Sequence, residues 1–260
     1  MKTTSAFGQV GEAIQDDGRI VIVQGGTSAG KTYAVLQYLI LAAHKNSLEG
    51  LISIVSESLP HLRRGAMRDF FTILTSNDMY RERQHNKSSH TYNIKKATFE
   101  FFSADQGDKL RGARRDYLFI NEANNISYEA WSELFIRTRK WSIIDFNPVA
   151  EFWAHTEILG HPEEDFRDKV RFVKLNYTHN EALDQVTIDN IESRKHDKDW
   201  FNVFGLGEIG SPSGVIFPPS VWSVSDLPEN ARYICSGMDF GESNPTTLID
   251  LWQHDGIDYY

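Results

Sequence analysis

The chain has 260 residues, a net charge of −9 and a single cysteine, Cys235. This length is enough for one large or two modest domains with a buried core. One cysteine excludes an internal disulfide and is typical of a reducing compartment. Because no apolar stretch is long enough to cross a bilayer and the first residues lack the apolar core of a signal peptide, we expect a soluble intracellular protein.

Positive charge is concentrated in one part of this acidic chain. Residues 60–115 carry a formal charge of +6, whereas the remainder carries −15. A basic patch on an acidic body is typical of a surface that contacts nucleic acid. A solvated surface with a few internal ion pairs explains the charge equally well.

Apolar periodicity predicts strands and helices that alternate through the first part of the chain. The predicted strands are 19–24, 51–56, 116–121, 141–146 and 171–177, with a hairpin at 90–94 and 97–103. The predicted helices are 31–45, 59–75, 127–138 and 152–159, and 105–115 is expected to be a loop. This alternation predicts an α/β fold with a mainly parallel sheet covered by helices on both faces.

The character of the sequence changes after residue 177. Residues 180–200 are predicted to form a charged helix, and the Gly- and Pro-rich stretch 205–219 is predicted to be a small lid or linker. Further strands are expected at 233–240, 246–252 and from 259 onward. These last strands have no core of their own, so we expect the beginning of a truncated second domain.

A glycine-rich loop between the first strand and the first of these helices fits the pattern G-x-x-x-x-G-K-[ST] of P-loop nucleotidases. In such a loop, backbone N–H groups and the helix N-terminus face the phosphates, Lys31 contacts the β- and γ-phosphate oxygens, and the Thr32 hydroxyl binds Mg²⁺. The alternative is a glycine-rich turn without function. The predicted ligands are therefore ATP and Mg²⁺, held by Gly25, Gly26, Thr27, Ser28, Ala29, Gly30, Lys31 and Thr32.

Polar residues end the strand that begins at residue 116. Residues 117–122 fit an hhhh-D-E motif in which Asn121 stands where Asp is usual. We expect this strand to lie next to the P-loop strand, with Asn121 holding a magnesium-bound water and Glu122 acting as the catalytic base. The alternative is that both residues only cap the following turn. Arginines immediately before the strand are candidates for stabilising the γ-phosphate, for contacting DNA or for simple solvation: Arg111, Arg114 and Arg115.

The order of these motifs resembles the large terminase subunit of tailed phages, the ATP-driven motor that packages DNA into a procapsid. The resemblance is based on GGTSAGKT at 25–32, LRGARRDYLFINEA at 110–123, DFNP at 145–148 and GMDFG at 237–241. It covers nearly the whole chain. One departure is Thr27, where an arginine is frequent in this family, and another is Asn121.

The resemblance implies a RecA-like ATPase domain at 1–178, a lid or linker subdomain at 179–230 and the first strands of an RNase H-like nuclease domain at 231–260. It also implies that Asp145 and Asn147 couple hydrolysis to movement, although Asn147 with Pro148 is equally a common turn. Asp239 matches the first metal-binding aspartate of the nuclease. The further carboxylates of that site are not in this chain, so nuclease activity is expected only of a longer one.

The family further implies double-stranded DNA, a portal or procapsid and a small terminase subunit as partners. It also implies a homo-oligomeric ring, no membrane, and a location in the host cell cytoplasm. Two other functions remain open at this level. One is a different P-loop ATPase acting on nucleic acid, such as a helicase, and the other is a nucleotide-gated binding module that hydrolyses ATP poorly because of Asn121.

Overall fold

The structure is a computed structural model and describes residues 1–105, 112, 114–210, 225–239 and 247–259. Its internal contacts divide the chain into two units, Met1–Ser213 and Gly214–Tyr260. The three-part division expected from the family is a different one and stays a prediction.

A mainly parallel sheet forms the centre of the first unit. Its strands are β1 (Ile20–Gly25), β2 (Gly50–Ser56), β3 (His85–Asn86), β4 (Thr91–Ile94), β5 (Ala97–Ser103), β6 (Arg115–Asn121), β7 (Thr138–Phe146) and β8 (Val170–Leu175). Among the described residues these eight strands have the order β3-β4-β5-β2-β6-β7-β1-β8. The strands from β5 to β8 in that order are parallel, and the predicted β4–β5 hairpin is antiparallel.

Helices cover both faces of this sheet, as the sequence predicts. They are α1 (Ser5–Gln15), α2 (Lys31–His44), α3 (Leu59–Arg64), α4 (Ala66–Ser76), α5 (Tyr128–Ile136), α6 (Glu164–Arg167), α7 (Gln185–Glu192) and α8 (Lys198–Trp200), with π-helical segments Ala154–Leu159 and Phe201–Leu206 and 3₁₀ turns Glu82–Gln84, Ala123–Asn125 and Tyr177–His179. Alternate residues of β1 pack into different cores. Val21 and Val23 join α1, α2 and α4, whereas Ile20 and Ile22 join α5 and the segment Ala154–Leu159.

Two helix predictions are wrong in extent. The helix expected over 59–75 is interrupted at Gly65, which has φ −102° and ψ −113°, so that α3 and α4 are separate. A Cβ on Gly65 would lie 3.4 Å from Oδ1 of Asn121, so the break brings backbone close to the end of β6. The helix expected over 180–200 is replaced by the shorter α7 and α8.

The described part of the second unit is an antiparallel sheet. Its strands are β9 (Arg232–Asp239), β10 (Thr247–His254) and β11 (Ile257–Tyr259), in the order β11-β10-β9. The strands expected from residue 233 onward are therefore present.

Candidate nucleotide-binding site

The glycine loop follows β1 at the carboxyl end of the sheet, where parallel α/β folds bind ligands. Gly25 ends β1, and α2 begins at Lys31. The backbone between them needs unusual conformations, because Ser28 has φ +62° and Gly30 has φ +77°. Gly26 is required for a different reason, since a Cβ there would lie 2.4 Å from the carbonyl oxygen of Phe204.

Lys31 is folded back over the loop. Its Nζ donates hydrogen bonds to the carbonyl oxygens of Gly25 (2.9 Å) and Gly26 (2.8 Å) and to Oδ1 of Asn147 (2.7 Å). Burial lowers the pKa of Lys31 to about 8, although Asp145 and Glu122 oppose this shift. The ammonium therefore lies where phosphate oxygens of a bound nucleotide would replace carbonyl oxygens as its acceptors.

A buried carboxylate, Asp145, connects the loop to the acidic strand. Its Oδ2 accepts a hydrogen bond from Oγ1 of Thr32 at 2.5 Å. Its Oδ1 accepts from the backbone N–H of Glu122 (2.8 Å) and from Nδ2 of Asn121 (3.0 Å). Asp145 is 1% exposed, and burial raises its pKa while these hydrogen bonds oppose the rise.

The expected adjacency of the acidic strand and the P-loop strand is wrong. β7 lies between β6 and β1, and Asp145 pairs in register with Asn121 on one side and Val23 on the other. Because both β6 and β7 end in polar side chains, this feature does not show which of the two strands lies next to β1. The carboxylate beside Thr32 consequently comes from Asp145 of the DFNP stretch.

Asn121 acts mainly as a donor in this structure. Its Nδ2 donates to Oγ1 of Thr32 at 3.1 Å as well as to Asp145, and its Oδ1 accepts from the Ser56 hydroxyl at 3.2 Å. Because its oxygen faces Ser56, the geometry does not favour Asn121 as an acceptor for magnesium-bound water. The asparagine instead holds the Thr32–Asp145 pair in place.

Glu122 lies beside this group in a strained backbone conformation. Its φ and ψ are +57° and +56°, in the left-handed region that non-glycine residues rarely occupy. Its Oε2 lies 3.0 Å from Nε2 of His61, a residue of α3. Burial raises the pKa of Glu122, Asp145 and Glu57 add to the rise, and His61 and Lys31 oppose it.

The three candidate arginines lie in different situations. Arg111 is outside the described residues, and Arg114 is exposed. Arg115 is 1% exposed at the amino end of β6, with its guanidinium 5.6 Å from the centre of the Phe102 ring. At a rise of about 3.3 Å per residue, Arg115 lies about 20 Å from Asn121 at the other end of the strand. Neither Arg114 nor Arg115 can reach the glycine loop of its own chain.

Comparison with known proteins identifies the family of this chain. A sequence model described as the phage terminase large subunit matches residues 17–208, which is most of the chain. The chain belongs to the phage terminase large subunit family. No curated protein matches it.

Solved structures of phage terminases share the fold. The large terminase of a thermophilic bacteriophage is 18% identical with a TM-score of 0.67, covering 100% of this chain and 67% of its own length. The large terminase of bacteriophage HK97 is 13% identical with a TM-score of 0.65, and the match covers 99% of this chain and 62% of the HK97 protein. The ATPase domain of the Thermus phage P74-26 terminase is 15% identical with a TM-score of 0.53, and the match covers 77% of this chain and 92% of that domain. This chain therefore spans about two thirds of the length of the first of these terminases.

Two residues that contact this group were not identifiable from the sequence. His61 contacts Glu122, and Asn180 donates from Nδ2 to the carbonyl oxygen of Ser28 at 2.8 Å. Neither belongs to a motif, and both are brought to the loop only by the fold. Asp239, the expected nuclease residue, ends β9, but its side chain is outside what the structure describes. No helix in the described ranges is long and apolar enough to cross a membrane.

Proposed function

We propose that this chain binds ATP with Mg²⁺ at residues 25–32 and that its hydrolysis drives double-stranded DNA into a procapsid. The family is that of a DNA-packaging motor ATPase. The observation that carries the site assignment is the convergence of Lys31, Thr32, Asp145 and Glu122 at one edge of the sheet. Structures of the thermophilic bacteriophage terminase with ADP and with ATP-gamma-S support nucleotide binding by this fold.

Thr32 and Asp145 fit a magnesium ion because both present oxygen atoms, the donors that this hard cation prefers. When bound, Mg²⁺ neutralises charge on the β- and γ-phosphates. The Thr32 hydroxyl and the Asp145 carboxylate would hold the ion, directly or through water. Asn121 keeps that carboxylate oriented by donating to it. Because residue 121 is Asn rather than Asp, Asp145 is the carboxylate that would hold the ion beside Thr32.

Glu122 is proposed as the base that takes a proton from the attacking water. Its raised pKa brings its basicity closer to neutral pH, where a general base is most effective. Its left-handed backbone is the kind of strain that persists at functional sites. In this structure its carboxylate is paired with His61, so it must leave that partner to reach a water at the γ-phosphate.

Asn147 is proposed to sense the γ-phosphate and, with Asp145, to couple hydrolysis to movement. Lys31 donates to Asn147, so phosphates that draw the ammonium away release the asparagine amide. Pro148 follows and fixes the backbone, and its carbonyl oxygen accepts the N–H of Gly210 at 2.8 Å. A change at Asn147 therefore has a short path to the segment that follows the ATPase sheet.

Proton uptake should accompany ATP binding above neutral pH. Without nucleotide, Lys31 has a pKa of about 8 and is mostly neutral near pH 8.5. Because bound phosphates favour the charged ammonium, we expect ATP binding at pH 8.5 to take up about three quarters of a proton. Near pH 6.5 we expect about none from this residue. Calorimetry in buffers of different ionisation enthalpy measures the uptake. Lys31→Arg stays charged and is the control; uptake of the same size in that variant would contradict the assignment.

Arg111 or Arg114 is proposed to act on the nucleotide of a neighbouring subunit, because Arg114 is exposed and too far from its own loop. Such arginines contribute about a thousandfold or more in rate. We expect that deficit in Arg111→Ala or Arg114→Ala to be partly restored by mixing with Glu122→Gln subunits, since each supplies what the other lacks. The buried Arg115→Ala should instead unfold more readily. No restoration in any mixture would exclude action between subunits.

Exposed arginines on α3 are proposed to contact DNA phosphates. Arg63 and Arg64 follow His61 on this helix, at the same end of the sheet as the glycine loop. We expect double-stranded DNA to stimulate ATP hydrolysis, and Arg63→Ala/Arg64→Ala to lose most of this stimulation and some of its salt dependence. The control is Lys95→Ala/Lys96→Ala, which removes two exposed charges at the other end of the sheet. ATP hydrolysis that DNA leaves unchanged would contradict the motor and favour a nucleotide-gated binding module.

The remaining partners follow the family. We propose that the subunits form a ring on the portal of a procapsid in the host cell cytoplasm, with a small terminase subunit delivering DNA. We propose that nuclease activity needs further metal-binding carboxylates in addition to Asp239. Neither a helicase nor a passive module is favoured by a particular feature of the site.

A further inference from the structure

A strap of backbone lies directly on the glycine loop. We define the strap as residues 201–210, which comprise the π-helical segment Phe201–Leu206 and the four residues after it. The carbonyl oxygen of Phe204 accepts the backbone N–H of Thr27 at 2.8 Å. The contact is close, because a Cβ on Gly26 would lie 2.4 Å from that same oxygen. The first half of the loop is therefore shaped by the strap.

Gln24, the residue before the loop, is hydrogen-bonded to the strap. It is 3% exposed, and its Nε2 donates to the carbonyl oxygen of Gly207 at 2.8 Å. Gly207 has φ +74°, and a Cβ there would lie 2.7 Å from Cα of Gly25. The backbone at the end of β1 therefore packs directly against the backbone of the strap, and the buried side-chain amide of Gln24 is hydrogen-bonded between them.

His155 fixes the orientation of that amide. Nε2 of His155 lies 3.0 Å from Oε1 of Gln24, and Nδ1 accepts the backbone N–H of Phe152 at 3.2 Å. Since Nδ1 is an acceptor, the ring proton is on Nε2 and is donated to Gln24. Burial lowers the pKa of His155, although Glu151 opposes this, which agrees with a neutral ring. The side-chain nitrogen and oxygen atoms of Gln24 and His155 thus each act as either a donor or an acceptor of a hydrogen bond.

We propose that Gln24 and His155 are positioning residues of the nucleotide site, which hold the strap on the loop and so set the backbone at Gly26 and Thr27 for the phosphates. The inference rests on the proposed binding of ATP at residues 25–32. Neither side chain contacts Glu122, Asp145 or Thr32 in this structure. Their loss should therefore weaken nucleotide binding far more than it slows the chemical step.

The alternative is that both residues only satisfy each other inside the fold. Their loss would then lower the melting temperature without changing nucleotide affinity. The two roles differ in a second way, because a positioning role predicts rescue by a residue that restores the donor. His155→Gln can still donate to Gln24, whereas His155→Leu cannot.

The test compares Gln24→Met, His155→Leu and His155→Gln in the 260-residue chain, with His161→Gln as the control. His161 stacks on Phe166 and takes no part in the strap. Four quantities are measured: the Kd of a fluorescent ATP analogue, the KM and the kcat of ATP hydrolysis, and the hydrogen-exchange rate of the backbone amides in residues 24–32. Melting temperature with and without nucleotide reports stability separately.

We expect Gln24→Met and His155→Leu to raise Kd and KM about tenfold, as the loss of a buried hydrogen bond does, with kcat changed less than about twofold. Exchange of the loop amides should accelerate in both, and His155→Gln should recover most of the affinity. Wild-type Kd and KM in either variant, or a fall in kcat alone, would overturn the proposal. If one variant fails to fold, the other and His155→Gln decide. Wild-type protein that binds no ATP would instead overturn the proposed function.

Discussion

Glu122→Gln is expected to bind ATP with wild-type affinity and to lose hydrolysis by about a thousandfold, within the range general bases contribute. The carboxylate acts on the attacking water and contributes little to ground-state binding. The glutamine keeps the size of the side chain, and its amide still reaches His61, which lies 3.0 Å from Oε2 of Glu122. Phosphate release measures turnover, and a fluorescent ATP analogue measures affinity.

Glu57→Gln is the matched control for that experiment. Glu57 is a second carboxylate beside His61, with Oε2 3.9 Å from its Nδ1, but it makes no contact with Asp145. We expect near-wild-type turnover from this control. Equal losses in the two variants would indicate a general electrostatic effect, and wild-type turnover in Glu122→Gln would remove Glu122 as the base.

Asp145→Asn is expected to lower kcat by about a hundredfold or more and to raise the magnesium concentration needed for activity. Asp145 accepts hydrogen bonds from Asn121 and the backbone N–H of Glu122 at one oxygen and from Thr32 at the other. The oxygen of an asparagine can still accept the first two, but its N–H₂ group cannot accept the hydroxyl of Thr32. The loss thus combines a missing charge with a disturbed Thr32. The measurement is a magnesium titration of ATP hydrolysis.

The double variant Asn121→Asp/Asp145→Asn tests whether the site needs one carboxylate at either position. The two side chains are neighbours in register on β6 and β7, with Nδ2 and Oδ1 3.0 Å apart. We expect the exchange to recover part of the lost activity. Asn121→Asp alone should be impaired, because two buried carboxylates at that distance repel. If Asp145→Asn hydrolyses ATP normally, the magnesium ligand must be sought elsewhere.

The sequence predicts the strands, the glycine loop and its helix well, because each depends on local patterns. The order of β6 and β7 in the sheet is not local. Both strands are apolar and both end in polar residues, so the sequence does not show that Asp145 comes between Asn121 and the loop. β7, which ends in the DFNP stretch, is the strand that pairs with β1 on this side.

The sequence does not predict contacts between residues that are far apart in the chain, for the same reason. His61 and Gln24 carry no motif, and their importance depends on the helix break at Gly65 and on the strap. Arg115 belongs to an arginine-rich stretch that suggests exposure, yet it begins β6 and is 1% exposed. Charge patterning alone does not distinguish a long side chain that lies over an aromatic ring from one in water.

ATP hydrolysis at this glycine loop is proposed to move DNA. The most direct test measures the DNA protected from nuclease inside procapsids, per ATP consumed, in a reconstituted packaging motor. We expect ATP-dependent protection with the wild-type protein and none with Glu122→Gln, although that variant still binds ATP. We expect Asn147→Ala to hydrolyse ATP but to package less DNA per ATP. Packaging by Glu122→Gln at the wild-type level would show that hydrolysis at this loop does not move DNA.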